Sequence, residues 1–200
     1  MKTFFTSDIH FGDERIMKLC GRPFSSTKEM DEYIIAKWNA KVSSNDTVWI
    51  LGDLVSPEYY DKDILNRLNG RINLIVGNHD YETHVAIMDK TEINVYTESL
   101  LYIDSTVCQG MKISDHNMVM FHYPIMEWNG IEKGWIHLYG HIHNKNLPIV
   151  KEYYKDKLAF NVCMDVNDLE PKTLAELIEK EGKMKLYESF FGKNACGFDL

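Results

Sequence analysis

The chain is built from short apolar runs that stop abruptly in polar residues. "TFFTS" (Thr3–Ser7), "TVWIL" (Thr47–Leu51) and "RINLIV" (Arg71–Val76) have the length and the β-branched or aromatic content of strands. Between the first two, "SSTKEMDEYIIAKWNAKV" sets Met30, Ile34 and Trp38 at helical spacing behind a Ser26–Glu29 capping box. "EYYDKDILNRL" predicts a second helix, closed by Gly70. After residue 90 the runs become shorter and richer in β-formers: "VYTESLLYI", "MKISD", "NMVMF", "WIHLY" and "LAFNVCM". Pro171, Thr173 and Glu176 open a helix, "KTLAELIEKE", that Gly182 stops, and "MKLYESFF" predicts a final strand. Strands and helices alternate first and short strands dominate later. The pattern predicts an α/β chain with a mostly β core and helices outside, forming a single domain over residues 1–200. No repeat, linker or low-complexity segment interrupts it.

The polar residues that end these runs are of a few kinds. They are "DIH" (Asp8, His10), "GD" (Gly52, Asp53), "GNHD" (Asn78, His79, Asp80), "FHYP" (His122) and "GHIH" (His141, His143). Five of the eight histidines fall in these bursts. Each follows an apolar run, so its backbone is anchored in the core and its side chains can converge, as ligand sites do at strand ends in layered α/β folds. Four imidazoles, two carboxylates and one amide oxygen suit Zn, Fe, Mn, Co or Ni. One ion needs three or four such groups; seven are enough for two, with Asp53 as the natural bridge. In an extended segment, D-x-H puts Asp8 and His10 on one face, and the same period pairs His141 with His143. Gly52, Gly77 and Gly140 each precede a candidate ligand, where a missing side chain permits unusual dihedrals and close approach.

Composition narrows the reading. A net charge of -8 is a poor match to long nucleic acid, which is held through clustered Lys and Arg. It leaves room for a small phosphorylated molecule, because bound cations supply local positive charge. Cys20, Cys108, Cys163 and Cys196 are dispersed, with no CxxC pair, which predicts a reduced, cytoplasmic setting. "MKTFFTSD" is too short for a signal peptide, and no apolar run approaches the roughly 20 residues of a membrane span, so no membrane partner is expected.

Taken in order, D-x-H, GD, GNHD, H and GHxH resemble the signature of the calcineurin-like metallophosphoesterases. "FNVCMDVNDLEP" is similar to a stretch of their smaller bacterial and phage-type members. The resemblance implies a four-layer αββα sandwich, two packed mixed β-sheets flanked by helices. It implies two divalent transition-metal ions, drawn from Mn, Fe, Ni and Zn. Asp8, His10, Asp53 and His143 would hold one; Asp53, Asn78, His122 and His141 would hold the other. His79 matches the family's catalytic histidine, which faces the phosphate and binds no metal. The implied activity is hydrolysis of phosphate mono- or diesters by metal-activated hydroxide. The alternatives are a nuclease or nucleotide pyrophosphatase and, from another class, a non-catalytic protein-binding scaffold of the same fold. Two departures stand out. Asp13 occupies the place of a histidine in "HFGD", where its charge would repel a phosphate. Ser56 and Pro57 follow where protein serine/threonine phosphatases carry Asp and Arg.

Asp80 reads equally as a cap for a helix starting near Tyr81 or as a catalytic group. His84, His116 and His137 match no motif. Arg15, Tyr123, Trp128 and Trp135 lie near motifs and read as pocket lining or as packing, and Cys163 as a buried thiol.

Overall fold

The computed structural model describes residues 1–56, 62–81, 87, 93–97, 100–103 and 116–193. Nine strands form two sheets among these residues. The first has the order β4-β3-β2-β1-β9. β1 (Thr3–Thr6), β2 (Thr47–Leu51), β3 (Arg71–Ile75) and β4 (Asn94–Tyr96) run parallel, and β9 (Lys172–Thr173) pairs antiparallel with β1. The second has the order β5-β6-β7-β8. There β5 (Leu100–Ile103) is antiparallel to β6 (Met118–Phe121), which continues in parallel through β7 (Ile136–Tyr139) to β8 (Ala159–Asn161). "VYTESLLYI" is thus divided between the sheets, and "MKISD" lies outside the described residues.

Both faces of each sheet are covered, so the strands are apolar on both sides. Phe4, Val48, Ile50, Ile72 and Leu74 point to one core with α1 (Glu14–Cys20) and α2 (Thr27–Lys41). Their neighbours Phe5, Trp49, Leu51 and Ile75 point the other way, against Met118, Met120, Ile136, Leu138 and Phe160 of the second sheet. The outer face of that sheet carries Val119, Tyr139 and Ala159, covered by Trp128 and by Tyr154 of α4 (Pro148–Tyr154). The result is the expected αββα layering. α2 buries Met30, Ile34 and Trp38 as the spacing predicts.

Several local expectations need correction. "MKLYESFF" is not a strand but α6 (Met184–Phe191); Tyr187 is fully buried and its N–H donates to Lys183 O. Aromatic content favoured a strand, but one-sided packing against the inter-sheet core selects a helix. That helix follows α5 (Leu174–Lys180), whose Thr173–Glu176 capping box forms in full. The Ser26 box forms only by half. The Ser26 side chain accepts from Glu29 N, but the Glu29 carboxylate turns to Ser25 N and Oγ. In the predicted second helix, α3 covers Lys62–Leu65, and residues 57–61 lie outside the described part.

Candidate metal centre

All seven candidate ligands sit just past strand ends at one edge of the sandwich. Asp8, His10, Asp53 and Asn78 come from the first sheet, and His122, His141 and His143 from the second. Among the described residues an isolated parallel bridge, Ser7 to Cys163, joins the sheets beside them. Asp8, His10, Asp53, His122 and His143 are buried; Asn78, His79 and His141 are partly exposed, forming the mouth.

The convergence is not that of an extended strand. Asp8, His10, Asp53, His141 and His143 have φ of 55, 54, 57, 65 and 49°. Left-handed conformations are uncommon for residues with a Cβ and cost about 1–3 kcal/mol each. Period-two alternation is therefore the wrong reason for the pairing of Asp8 with His10. Tight left-handed turns aim both side chains inward.

Named contacts hold those turns. Arg22, buried, donates from Nη2 to Asp8 O and from Nη1 to Ile9 O, both at 2.7 Å. Its Nε and Nη2 grip Asp165 at 2.7 and 3.0 Å, and Asp165 Oδ2 lies 2.7 Å from His143 Nδ1. The helix that Asp80 is expected to cap would begin within residues 82–86, which lie outside the described residues. The buried Asp80 carboxylate accepts the backbone N–H of Gly77 (2.8 Å), Asp53 (2.7 Å) and Leu54 (3.0 Å), tying together the loops after β2 and β3. A Cβ on Gly77 would lie 2.4 Å from Asp53 Oδ1, and one on Gly52, at φ 90°, would lie 2.5 Å from His122 Nδ1. Close backbone approach to the ligands thus explains Gly77, and a left-handed turn adds to the demand at Gly52.

Within this frame, lone pairs face one another. His122 Nδ1 meets Leu51 O at 2.7 Å, so its proton sits there and Nε2 points inward. Asp165 does the same for His143. Asp53 Oδ2 stands 3.6 Å from His10 Nε2 and 3.3 Å from His122 Nε2, one oxygen between two imidazoles. Asp8 Oδ1 stands 3.6 Å from His143 Nε2. Asn78 Oδ1 lies 2.9 Å from His122 Nε2 and 3.1 Å from His141 Nδ1. Asp8, His10 and His143 form one group close enough to share an ion, and Asp8, Asp53 and His122 another.

The donor set fits divalent transition metals. His10 is the sharpest observation. Both of its ring nitrogens are buried without a hydrogen-bond partner among the described residues. Burial pushes its pKa down to about 3, so the ring is neutral and offers lone pairs. Burying such a group unpaired is costly unless something occupies the lone pair. Two ligands about 2.1 Å from a shared ion, at roughly tetrahedral to octahedral angles, stand about 3.0–3.4 Å apart, near the spacings seen here. Burial opposes charge on His122 and His143, but carboxylate partners outweigh it and raise both, His143 to about 10. Asp53, despite burial, is held down to about 2 by its histidines.

His79 lies at the mouth. Its ring meets His10 edge-on at 5.2 Å, and its backbone N–H donates to Asp53 Oδ1 at 2.9 Å. The sequence profile of the calcineurin-like phosphoesterase family matches residues 1–170. The chain belongs to that family. MJ1445, an uncharacterized protein of Methanocaldococcus jannaschii, is 30% identical over 185 residues, 90% of this chain and 92% of that one. The gene 66 protein of Mycobacterium phage L5 is 28% identical over 187 residues, covering 82% of this chain and 86% of the phage protein. Among solved structures, the protein of unknown function AQ665 from Aquifex aeolicus superposes with a TM-score of 0.66 at 21% identity. That match covers 89% of this chain and 97% of the other, and it shows the shared fold. Among the described residues no helix is long and apolar enough to cross a membrane.

The remaining predicted residues divide. Asp13 caps α1, accepting from Arg15 N at 2.8 Å and Nε at 3.3 Å, with Oδ2 3.7 Å from His10 Nδ1. Its charge is therefore turned towards α1 and His10. Trp128 packs on His137 and bonds Trp135 O, a core role, while Tyr123 stands 4.3 Å from the His141 ring and is exposed. Cys163 is a buried thiol, His116 and His137 are core residues, and His84 lies outside the described residues. Arg22, Asp80 as a loop organiser, and Asp165 escaped sequence reasoning. The one available signal was a charged residue inside the apolar run "FNVCMDV".

Proposed function

We propose that the chain is a metal-dependent phosphoesterase that hydrolyses phosphate mono- or diesters of a small phosphorylated substrate. Asp8, His10, Asp53 and His143 would hold one divalent ion, and Asp53, Asn78, His122 and His141 a second, from among Mn, Fe, Ni and Zn. The observation that carries the reading is Asp53 Oδ2, poised between His10 Nε2 and His122 Nε2. What bound cations supply is neutralisation of phosphoryl oxygens and a lowered pKa for water.

The chain's own groups do the rest. Asp80 fixes the backbone of Asp53, and Arg22 with Asp165 keeps the His143 Nδ1 proton turned outward. His79, at the mouth, offers a proton to the leaving alkoxide or stabilises charge on the phosphoryl oxygens. The acidic surface argues against long polymers, and dispersed cysteines support a cytoplasmic setting. The test is elemental analysis of the purified protein paired with a panel of phosphate mono- and diesters assayed with Mn, Fe, Ni or Zn. About two bound metals per chain and turnover of at least one ester are expected. Absence of both would leave the scaffold reading in its place.

A further inference from the structure

Beside the metal centre lies a cavity of about 700 Å³, a volume suited to a small organic ligand. His143 lines it, so the cavity borders the ligand cluster. Its other walls reverse the charge of the protein: Lys145, Lys151, Lys155, Lys180 and Lys183 line it, against the single acid Glu181. In a chain of net charge -8 this is a local inversion.

The five lysines are not equivalent. Lys183 donates to Tyr154 O, Lys157 O and Ala159 O and is a structural brace. Lys180 is bound to Val166 O and to Asn167 Oδ1. Lys155 pairs with Glu152. Lys145 and Lys151 are exposed, and neither ammonium group makes a hydrogen bond or ion pair within the described residues. Ile142, Leu147 and Val150 add apolar lining. Two uncommitted ammonium groups, apolar lining and a border on the metal centre describe a site for the rest of a substrate. They do not describe a solvated surface alone.

We infer that this cavity binds a second anionic group of the substrate through Lys145 and Lys151, with the organic scaffold against Ile142, Leu147 and Val150. The favoured substrates are thus compounds with two phosphoryl groups on one small scaffold. The inference rests on the phosphoesterase reading for which group is cleaved, but binding itself can be measured without turnover.

Isothermal titration calorimetry of the full chain compares adenosine 3′,5′-bisphosphate with adenosine 5′-monophosphate. The wild-type chain should bind the bisphosphate roughly tenfold more tightly, the scale of two exposed charge contacts, and less so at high salt. Lys145→Ala with Lys151→Ala should abolish that advantage. Lys133→Ala, outside the cavity, should retain the advantage. Equal affinity of the two nucleotides for the wild-type chain, or an advantage that survives the double substitution, overturns the inference. A lysine-dependent advantage without hydrolysis of any ester would instead overturn the phosphoesterase reading and leave the cavity assignment standing.

Discussion

Asp80 offers the most direct test of how the centre is held. In Asp80→Asn the side chain keeps its shape but presents one oxygen and one NH2. If the oxygen stays where it accepts from both Gly77 and Asp53, the NH2 points at the Leu54 N–H, now donor against donor. One hydrogen bond to a charged group, about 1.5–3 kcal/mol, is lost, and the two that remain become neutral and weaker. Relief of carboxylate burial offsets part of this, so about 3 kcal/mol of destabilisation is expected. Asp80→Ala leaves all three N–H groups unsatisfied in a dry site and should cost more. The assay is urea unfolding of chelator-treated protein, followed by circular dichroism, so that metal loss does not contribute. A loss below about 0.5 kcal/mol in Asp80→Asn, or equal losses in the two variants, would show that these three hydrogen bonds do not hold the loops.

Other outcomes follow from the same contacts. His79→Ala should lower ester turnover by roughly 10²–10⁴-fold with metal content unchanged, checked by steady-state assay beside elemental analysis. Asp165→Asn should weaken metal affinity by about 10–100-fold, read by competition with a chelator, because a single neutral oxygen must then serve both Arg22 and His143. His137 is buried, with Nδ1 at Val119 O and Nε2 receiving Ile125 N–H, and burial lowers its pKa to about 4. The folded state therefore resists a proton the unfolded chain accepts near 6.5. Its contribution is complete above that pH and is lost as pH falls towards 4, roughly 3 kcal/mol at most, and His137→Gln should flatten the unfolding midpoint over that range. Asp31 is the opposite case: burial raises it to about 6, so its charge weakens the fold as pH rises from about 4 to 6. Asp31→Asn should stabilise at pH 7 and lose that benefit at pH 4, as thermal unfolding would show.

Much of this was legible in the residues. β1, β2 and β3 announce themselves because strands buried on both faces are continuous apolar runs, and the polar bursts behind them mark the strand ends where the candidate ligands gather. α1 and α4 escaped notice because each has seven residues, too few for a helical period to stand out. α6 misled because its aromatic residues suit a strand until the inter-sheet core demands one buried face. Arg22 and Asp165 are 143 positions apart, and no local pattern connects them. The left-handed turns at Asp8 and His10 were hidden as well: positive φ is enriched at Asp and His among residues with a Cβ, but is still uncommon at any one of them.

The division of the candidate ligands between two sheets has a mechanical consequence. A cation seated among Asp8, His10 and His143 would add a rivet to layers that the Ser7–Cys163 bridge and hydrogen bonds such as His141 N–H to Asp8 already join at this edge. Splaying the sandwich there would require the ion to leave first. Occupancy and closure of the two layers would then rise and fall together, and resistance to heat or protease would report how well the chain is supplied with metal.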